Sequence, residues 1–96
     1  MKRKILIFFF SLTNVLYAFE ADCTLKNAKH FHFSINNQVM LVDWKYKVFY
    51  SEQDNGWEIY QNKGYVYKIK NNYKDNFPIK VKNKKYNSFI DGNCVI

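Results

Sequence analysis

The sequence predicts an all-β protein, a small antiparallel meander that closes into a barrel or a sandwich and carries one disulfide. Three observations predict this fold class. Apolar and polar residues alternate with a period of two along most of the chain after residue 18. Signals for tight turns separate the alternating runs. The chain contains only two cysteines, and they lie near the two ends of that region.

The first 18 residues have the layout of a secretory signal peptide. Residues 2–4 are positively charged, residues 5–10 are an unbroken apolar run, and Ala18 offers a small residue at the cleavage point. The apolar run is shorter than the ~20 residues that a membrane-spanning helix needs. The alternatives are a permanent N-terminal anchor, a lipoprotein at Cys23 and cleavage after Ala21.

We therefore expect an exported protein, periplasmic or secreted, with residues 1–18 as signal peptide and residues 19–96 as one small β-domain. No transmembrane segment is expected after cleavage. A domain of this size has a marginal core, and an oxidising compartment allows a disulfide to support it. Two cysteines permit one intramolecular pairing, Cys23 with Cys94. A redox pair, a metal site or two free thiols are the alternatives, but redox pairs are usually closer in sequence and structural zinc needs four ligands.

The N-terminal half of the domain predicts one short helix and two strands. Residues 20–29 are the only helix candidate. Residues 28–35 alternate, which places their phenylalanine and isoleucine side chains on one face, and a turn follows at residues 36–37. Residues 40–50 form the clearest run of period two and predict a single strand. Trp44 falls on the apolar face of that strand and is therefore predicted to lie in the core.

The C-terminal half predicts further strands joined by turns, which makes six or seven strands in all. These strands are predicted at residues 57–61, 65–70, 79–82 and 86–90. Asn55-Gly56 is a turn signal, residues 62–64 form a second turn, and residues 71–78 are the longest loop signal. Asp91-Gly92 predicts a two-residue hairpin before the last few residues.

Positive charge is concentrated in one segment. After residue 18 the chain has twelve lysines and eight acids, a net charge of +4, whereas residues 63–85 alone hold eight lysines and one acid. The predicted basic patch consists of Lys68, Lys70, Lys80, Lys82, Lys84 and Lys85. Tyrosines lie among these lysines, but arginine, the usual residue for phosphate and base contacts, is absent after residue 18. Nucleic acid is therefore not expected. An anionic envelope surface fits better, and lysines that protect exposed strand edges are the alternative.

No constellation of residues predicts catalysis or a cofactor. The chain lacks a serine elbow and a glycine-rich phosphate loop, and its three glycines all lie in turn signals. His30 and His32 lie two residues apart on a predicted strand and form a weak candidate metal site, but a compelling third ligand is missing. We predict a non-enzymatic protein without cofactor or metal. Trp57, which follows a turn, is a candidate contact residue, with a place in the core as the default alternative in a domain of this size.

The segment NGWEIYQNKGYVYKI resembles part of the periplasmic C-type lysozyme inhibitors of Gram-negative bacteria, which are small exported antiparallel barrels. The residues that carry the resemblance are Gly56, Tyr60, Lys63, Gly64, Cys23 and the pair Asn93-Cys94. The serine-x-serine-glycine loop of that family is absent. The shorter segment YSEQDNG stands in its place and offers only Ser51.

The resemblance implies that Lys63 enters the lysozyme cleft and pairs with a catalytic carboxylate, with residues 51–56 beside it. The binding residues are then Lys63, Gly64, Ser51, Trp57 and Tyr60. The predicted function is a non-enzymatic exported binding domain of the bacterial envelope, with inhibition of a lysozyme-type cell-wall hydrolase as its most specific form. The alternative is an envelope structural or anionic-surface-binding protein that uses the lysines and tyrosines of the basic patch.

Overall fold

The described residues form eight antiparallel strands in a closed barrel, which confirms the predicted fold class. The computed structural model describes residues 19–70 and 75–96, so the predicted signal peptide lies outside the described residues. The strands are β1 (Phe19–Leu25), β2 (His30–Asn36), β3 (Val39–Val42), β4 (Tyr46–Asp54), β5 (Trp57–Gln61), β6 (Tyr65–Ile69), β7 (Asn76–Asn83) and β8 (Ile90–Val95). Each strand pairs with the next along the chain, and β8 closes the barrel on β1.

The helix predicted over residues 20–29 is wrong, because β1 occupies most of that segment. Ala21, Cys23 and Leu25 are buried and the residues between them are exposed, which is the period of a strand. β1 pairs with β2 on one side and with β8 on the other. Hydrogen bonds to two neighbouring strands therefore outweigh the weak local preference for a helix.

The predicted disulfide between Cys23 and Cys94 is confirmed. The two cysteines are directly opposite each other on β1 and β8, with their Cα atoms 4.0 Å apart. Both are buried in the core. The bridge therefore joins the first and last strands at the pair that closes the barrel.

Gly92 lies within β8, so the hairpin predicted at Asp91-Gly92 is wrong, as is the strand predicted at residues 86–90. A Cβ atom at Gly92 would lie 2.6 Å from the carbonyl oxygen of Thr24 and 2.7 Å from Cδ2 of Leu25. Backbone atoms cannot move aside easily, so a side chain here would push β8 away from β1. The glycine is needed for close approach of the closing strands rather than for a turn.

The single strand predicted over residues 40–50 is divided by a turn at residues 43–45. Asp43 and Trp44 both have positive φ, 51° and 61°, and the Lys45 N–H donates to the Val42 carbonyl at 3.0 Å. This backbone is rare for a bulky residue such as tryptophan. Trp44 is 66% exposed, so its predicted place in the core is wrong.

The interior of the barrel is packed differently toward its two ends. One end carries the connections at residues 26–29, 43–45, 62–64 and 84–89, and the other carries the turns at residues 37–38 and 55–56. Near the second end, the rings of Phe19, Phe33 and Phe77 make edge-to-face contacts with centroids 5.8–6.2 Å apart. This aromatic cluster fills that half of the interior.

Candidate functional site

The end of the barrel opposite the phenylalanine cluster is hollow, and we call it the open end. A cavity of about 800 Å³ extends inward from the connections at residues 26–29, 43–45, 62–64 and 84–89. Val42, Val48 and Val81 line its walls. These side chains are smaller than the phenylalanines at the opposite end, and eight strands enclose an interior that large side chains just fill. Valines at these positions therefore contribute to leaving space unoccupied.

Tyrosines surround the mouth of the cavity. Tyr46, Tyr65 and Tyr86 line it and are 56%, 42% and 65% exposed. Ile90, also partly exposed, lies beside them. Exposed aromatic side chains that cluster around one opening are a common feature of binding surfaces. The alternating pattern did not predict this cluster, since Tyr86 lies outside any strand.

The turn that carries Lys63 lies at the same mouth, and the side chain of Asn62 holds it in shape. The Asn62 Oδ1 accepts hydrogen bonds from the backbone N–H groups of Gly64 and Tyr65, at 2.8 and 2.9 Å. The Asn62 Nδ2 donates to the carbonyl oxygen of Lys47 at 3.0 Å. This is an Asx-type turn, tied to β4 by a third bond.

A second contact supports the turn from the other side. The N–H of Lys84 donates to the Gly64 carbonyl oxygen at 2.8 Å, which joins the turn to the connection at residues 84–89. Lys63 itself is exposed and lines the cavity with Gly64. The backbone that presents the Lys63 ammonium is therefore fixed on both flanks while its side chain points away from the core.

Tyr67 lies in the wall of the cavity, and its ring meets that of Phe31 edge to face with centroids 5.8 Å apart. Burial, with the charges of Tyr65 and Asp43, raises the pKa of the Tyr67 phenol to about 12. The hydroxyl is therefore neutral at physiological pH and retains its proton as a hydrogen-bond donor.

Apart from Gly64, the other residues of the predicted binding set do not gather around Lys63. Ser51 lies in β4 and accepts a hydrogen bond from Gln61 Nε2 at 2.8 Å, which places it close to the turn but on the strand surface. Tyr60 is only 3% exposed and packs in the core, so it does not offer a surface contact. The turn at residues 55–56 lies at the opposite end of the barrel, so residues 51–56 as a whole do not stand beside Lys63.

Trp57 belongs to a second surface, on the outside of β5, β6 and β7. The Nζ atoms of Lys70 and Lys80 lie 5.5 and 5.6 Å from the Trp57 ring centroid. Those of Lys68 and Lys82 lie 4.8 and 5.0 Å from the Phe89 ring centroid. We call these six residues the lysine–aromatic face. The part of Phe89 in this surface is not predictable from a local pattern, because it depends on how the connection at residues 84–89 lies over these strands.

The basic patch predicted from the sequence is therefore divided. Four of its six lysines form the lysine–aromatic face, whereas Lys84 and Lys85 lie in the connection at the open end. Within the face, Lys80 Nζ donates to Asp91 Oδ1 at 2.7 Å. That hydrogen bond and the Lys80 charge hold the pKa of the Asp91 carboxyl below its ordinary value.

The two histidines bind separate neighbours on β1. Nδ1 of His30 lies 3.0 Å from Oγ1 of Thr24. The His32 ring stacks on Trp44 with centroids 4.5 Å apart, and its two nitrogens face Asp22 and Glu20 at 3.1 and 2.9 Å. Within residues 19–70 and 75–96, no group of three or more His, Cys, Asp or Glu side chains is arranged to hold a metal.

No protein-family model matches the chain, and no curated protein or solved structure was found to be similar to it. Among the residues that the structure describes, no helix is long and apolar enough to cross a membrane.

Proposed function

We propose that the protein is a non-enzymatic binding protein whose open end inhibits a lysozyme-type cell-wall hydrolase. Lys63 would enter the substrate cleft and pair with a catalytic carboxylate. Hydrolases of this type carry two carboxyl groups in that cleft, so a single projecting ammonium is complementary to it. The rim tyrosines, Tyr46, Tyr65 and Tyr86, would pack around the entrance, as tyrosines often do at the centre of protein interfaces.

The observation that carries this proposal is the support of the 62–64 turn. The Asn62 side chain accepts two hydrogen bonds and donates one, and the Gly64 carbonyl accepts a fourth, so the backbone around Lys63 is fixed before any partner arrives. A loop that is already ordered loses little conformational entropy on binding. Asn62 is therefore a positioning residue for Lys63, because its side chain holds the turn in shape.

Replacing Lys63 by alanine is expected to weaken inhibition of a C-type lysozyme by about 30-fold or more. Removing one partner of a desolvated charge pair costs about 2–5 kcal/mol, and each 1.4 kcal/mol is a factor of about ten. The measurement is the concentration of native, oxidised protein that halves lysis of a cell-wall suspension.

Two further variants make this test specific. Lys70→Ala removes the same charge from the lysine–aromatic face and should inhibit like the parent protein. Asn62→Ala keeps Lys63 but loosens the turn, so it should inhibit less than the parent and more than Lys63→Ala. A parent protein that does not inhibit at micromolar excess removes the proposal, and so does a Lys63→Ala variant that inhibits equally well.

The lysine–aromatic face favours a second candidate function, which is binding to an anionic envelope surface. Lys68 and Lys80 are directly opposite each other on β6 and β7. Like charges in such a cross-strand pair are destabilising, and only Lys80 has a carboxylate partner in the described residues. An anionic surface would relieve this repulsion and meet four ammonium groups and two aromatic rings at once.

Binding to vesicles that contain anionic phospholipid should then fall steeply as salt is raised. Charge near such a surface contributes about 1 kcal/mol per lysine, so Lys68→Gln and Lys82→Gln should each weaken binding about fivefold. Lys63→Ala serves as the matched control and should bind vesicles like the parent. Binding that does not respond to salt would rule out this second function.

A further inference from the structure

We propose that the cavity at the open end is a binding site for a single-chain amphipathic anion, an alkyl chain that ends in a carboxylate or phosphate. The chain would occupy the space inside the barrel and the anionic head would remain at the mouth. This inference concerns the inside of the barrel and does not rest on inhibition of a hydrolase. It follows from the size of the cavity, its lining and the charges at its mouth.

The size of the cavity suits a small ligand rather than a few waters. A volume of about 800 Å³ falls within the range of about 300–1,000 Å³ that is typical of ligand sites. Barrels of eight strands either fill their interior with side chains or hold one small ligand. Here the two halves divide these roles, since the phenylalanine cluster fills one end and the other end is hollow.

The lining of the cavity is mostly apolar. Leu25, Val42, Val48 and Val81 contribute aliphatic walls, and their inward positions follow from the alternation of the strands. All four side chains are largely covered by neighbouring core residues, so an apolar chain in the cavity would gain dispersion contacts only with the part of each that faces the cavity. Tyr67, whose hydroxyl is neutral, is one of several polar residues in the lining, which also include Asn27, His30 and Asn83.

The charges at the mouth favour an anion. Lys29 and Lys63 line the cavity, and neither has a carboxylate partner among the described residues. Asp43 is the only acid among the described residues of the lining, and its Oδ1 already accepts a hydrogen bond from the backbone N–H of His32 at 2.9 Å. Two ammonium groups are therefore available to the head of a ligand, against one carboxylate that is engaged with the backbone.

The exposed rings at the mouth explain how an amphipathic ligand would be bound along its length. Tyr46, Tyr65 and Tyr86 extend the apolar lining outward to solvent. Their hydroxyls can hydrogen-bond near the head while their rings cover the first part of the chain. The site is therefore apolar inside the barrel and aromatic and cationic at its mouth, which matches a ligand with an apolar chain and an anionic head.

The test titrates four probes of equal chain length into the native, oxidised protein: dodecanoate, dodecyl phosphate, dodecanol and dodecyltrimethylammonium. We expect one saturable site for the two anions, with NMR shifts at the methyl groups of Val42, Val48 and Val81. The neutral and cationic probes should bind at least about tenfold more weakly. Comparison of the two anions distinguishes a carboxylate ligand from a phosphate ligand.

Variants test separately how much the lysine charges and the space in the cavity contribute to binding. Lys29→Ala and Lys63→Ala should each weaken dodecanoate binding about two- to fivefold, as expected for solvent-exposed ion pairs, while Lys85→Ala should have no effect. Val81→Phe should abolish binding by filling the cavity. Should that variant fail to fold, the double variant Lys29→Ala/Lys63→Ala decides the question.

Three results would overturn the proposal. The first is the lack of saturable binding by either anion. The second is binding whose shifts lie on the lysine–aromatic face instead of inside the barrel. The third is equal affinity for the cationic and anionic probes. Failure to inhibit a hydrolase would not affect these results, since the probes report only on binding inside the barrel.

Discussion

Replacing Cys23 and Cys94 by serine is expected to lower the free energy of unfolding by about 4 kcal/mol. The bridge closes a loop between residues 71 positions apart, and the chain-entropy model gives a loop of this length a stabilisation of that size. A domain of 60–100 residues loses about 4–8 °C of melting temperature per kcal/mol. The melting temperature should therefore fall by about 15–30 °C, measured by circular dichroism.

The location of the bridge adds a structural expectation to this loss. Because Cys23 and Cys94 join β1 to β8, the backbone amides of those two strands should lose more hydrogen-exchange protection than the amides of β5 and β6. Reduction of the parent protein should reproduce the fall in melting temperature, and reductant should not affect the double serine variant. An unchanged melting temperature after reduction would contradict the role assigned to the bridge.

Phe33→Ala is expected to cost about 3–5 kcal/mol of stability, comparable to loss of the disulfide. The Phe33 side chain is fully buried and packs against Phe19 and Phe77 in the filled half of the barrel. Truncation of a phenylalanine in a well-packed core removes its transfer free energy and leaves a void. Chemical denaturation of parent and variant measures the difference.

Val81→Ala is the matched control in the hollow half. Two methyl groups are lost, but the cavity beside Val81 already exists, so little new enclosed void is created. We expect a cost of about 1–2 kcal/mol, close to the transfer term alone. Equal costs for Phe33→Ala and Val81→Ala would mean that the two halves of the barrel are packed alike, which would contradict the division described above.

The fold class followed from the sequence because alternation and turn chemistry are local. The strands β5 and β6 and the turns at residues 55–56 and 62–64 lie where the pattern predicted them. The turn at residues 62–64 is held by a local contact, because the Asn62 side chain accepts hydrogen bonds from the backbone N–H groups of Gly64 and Tyr65. The cysteine pairing was also predictable, since two cysteines permit a single intramolecular bridge.

The wrong predictions arise where distant strands decide the structure. Trp44 continued the alternation of residues 40–50, but its positive φ and its stacking on His32 depend on β2 lying beside it. Glycine is common in hairpin turns, which is why a turn was predicted at Gly92. In the structure a glycine is needed there because Thr24 and Leu25 on β1 leave no space for a side chain. Neither contact is visible within a short window of sequence.

The candidate site was predicted only in part for the same reason. Lys63 and Gly64 lie at the open end as a turn, as the pattern indicated, and four of the patch lysines share one outer face. The cavity arises from which side chains meet in three dimensions across β3, β4 and β7, so no linear pattern encodes it. The burial of Tyr60 likewise follows from its register with Tyr50 and Tyr67.

The claim that the open end is the recognition surface is tested most directly by NMR titration of the ¹⁵N-labelled, oxidised protein with a C-type lysozyme. The predicted result is a set of shift changes confined to residues 62–65, Tyr46 and residues 84–86, and their loss in Lys63→Ala. Shift changes centred on Lys68, Lys80 and Trp57, or none at a lysozyme excess, would contradict the claim.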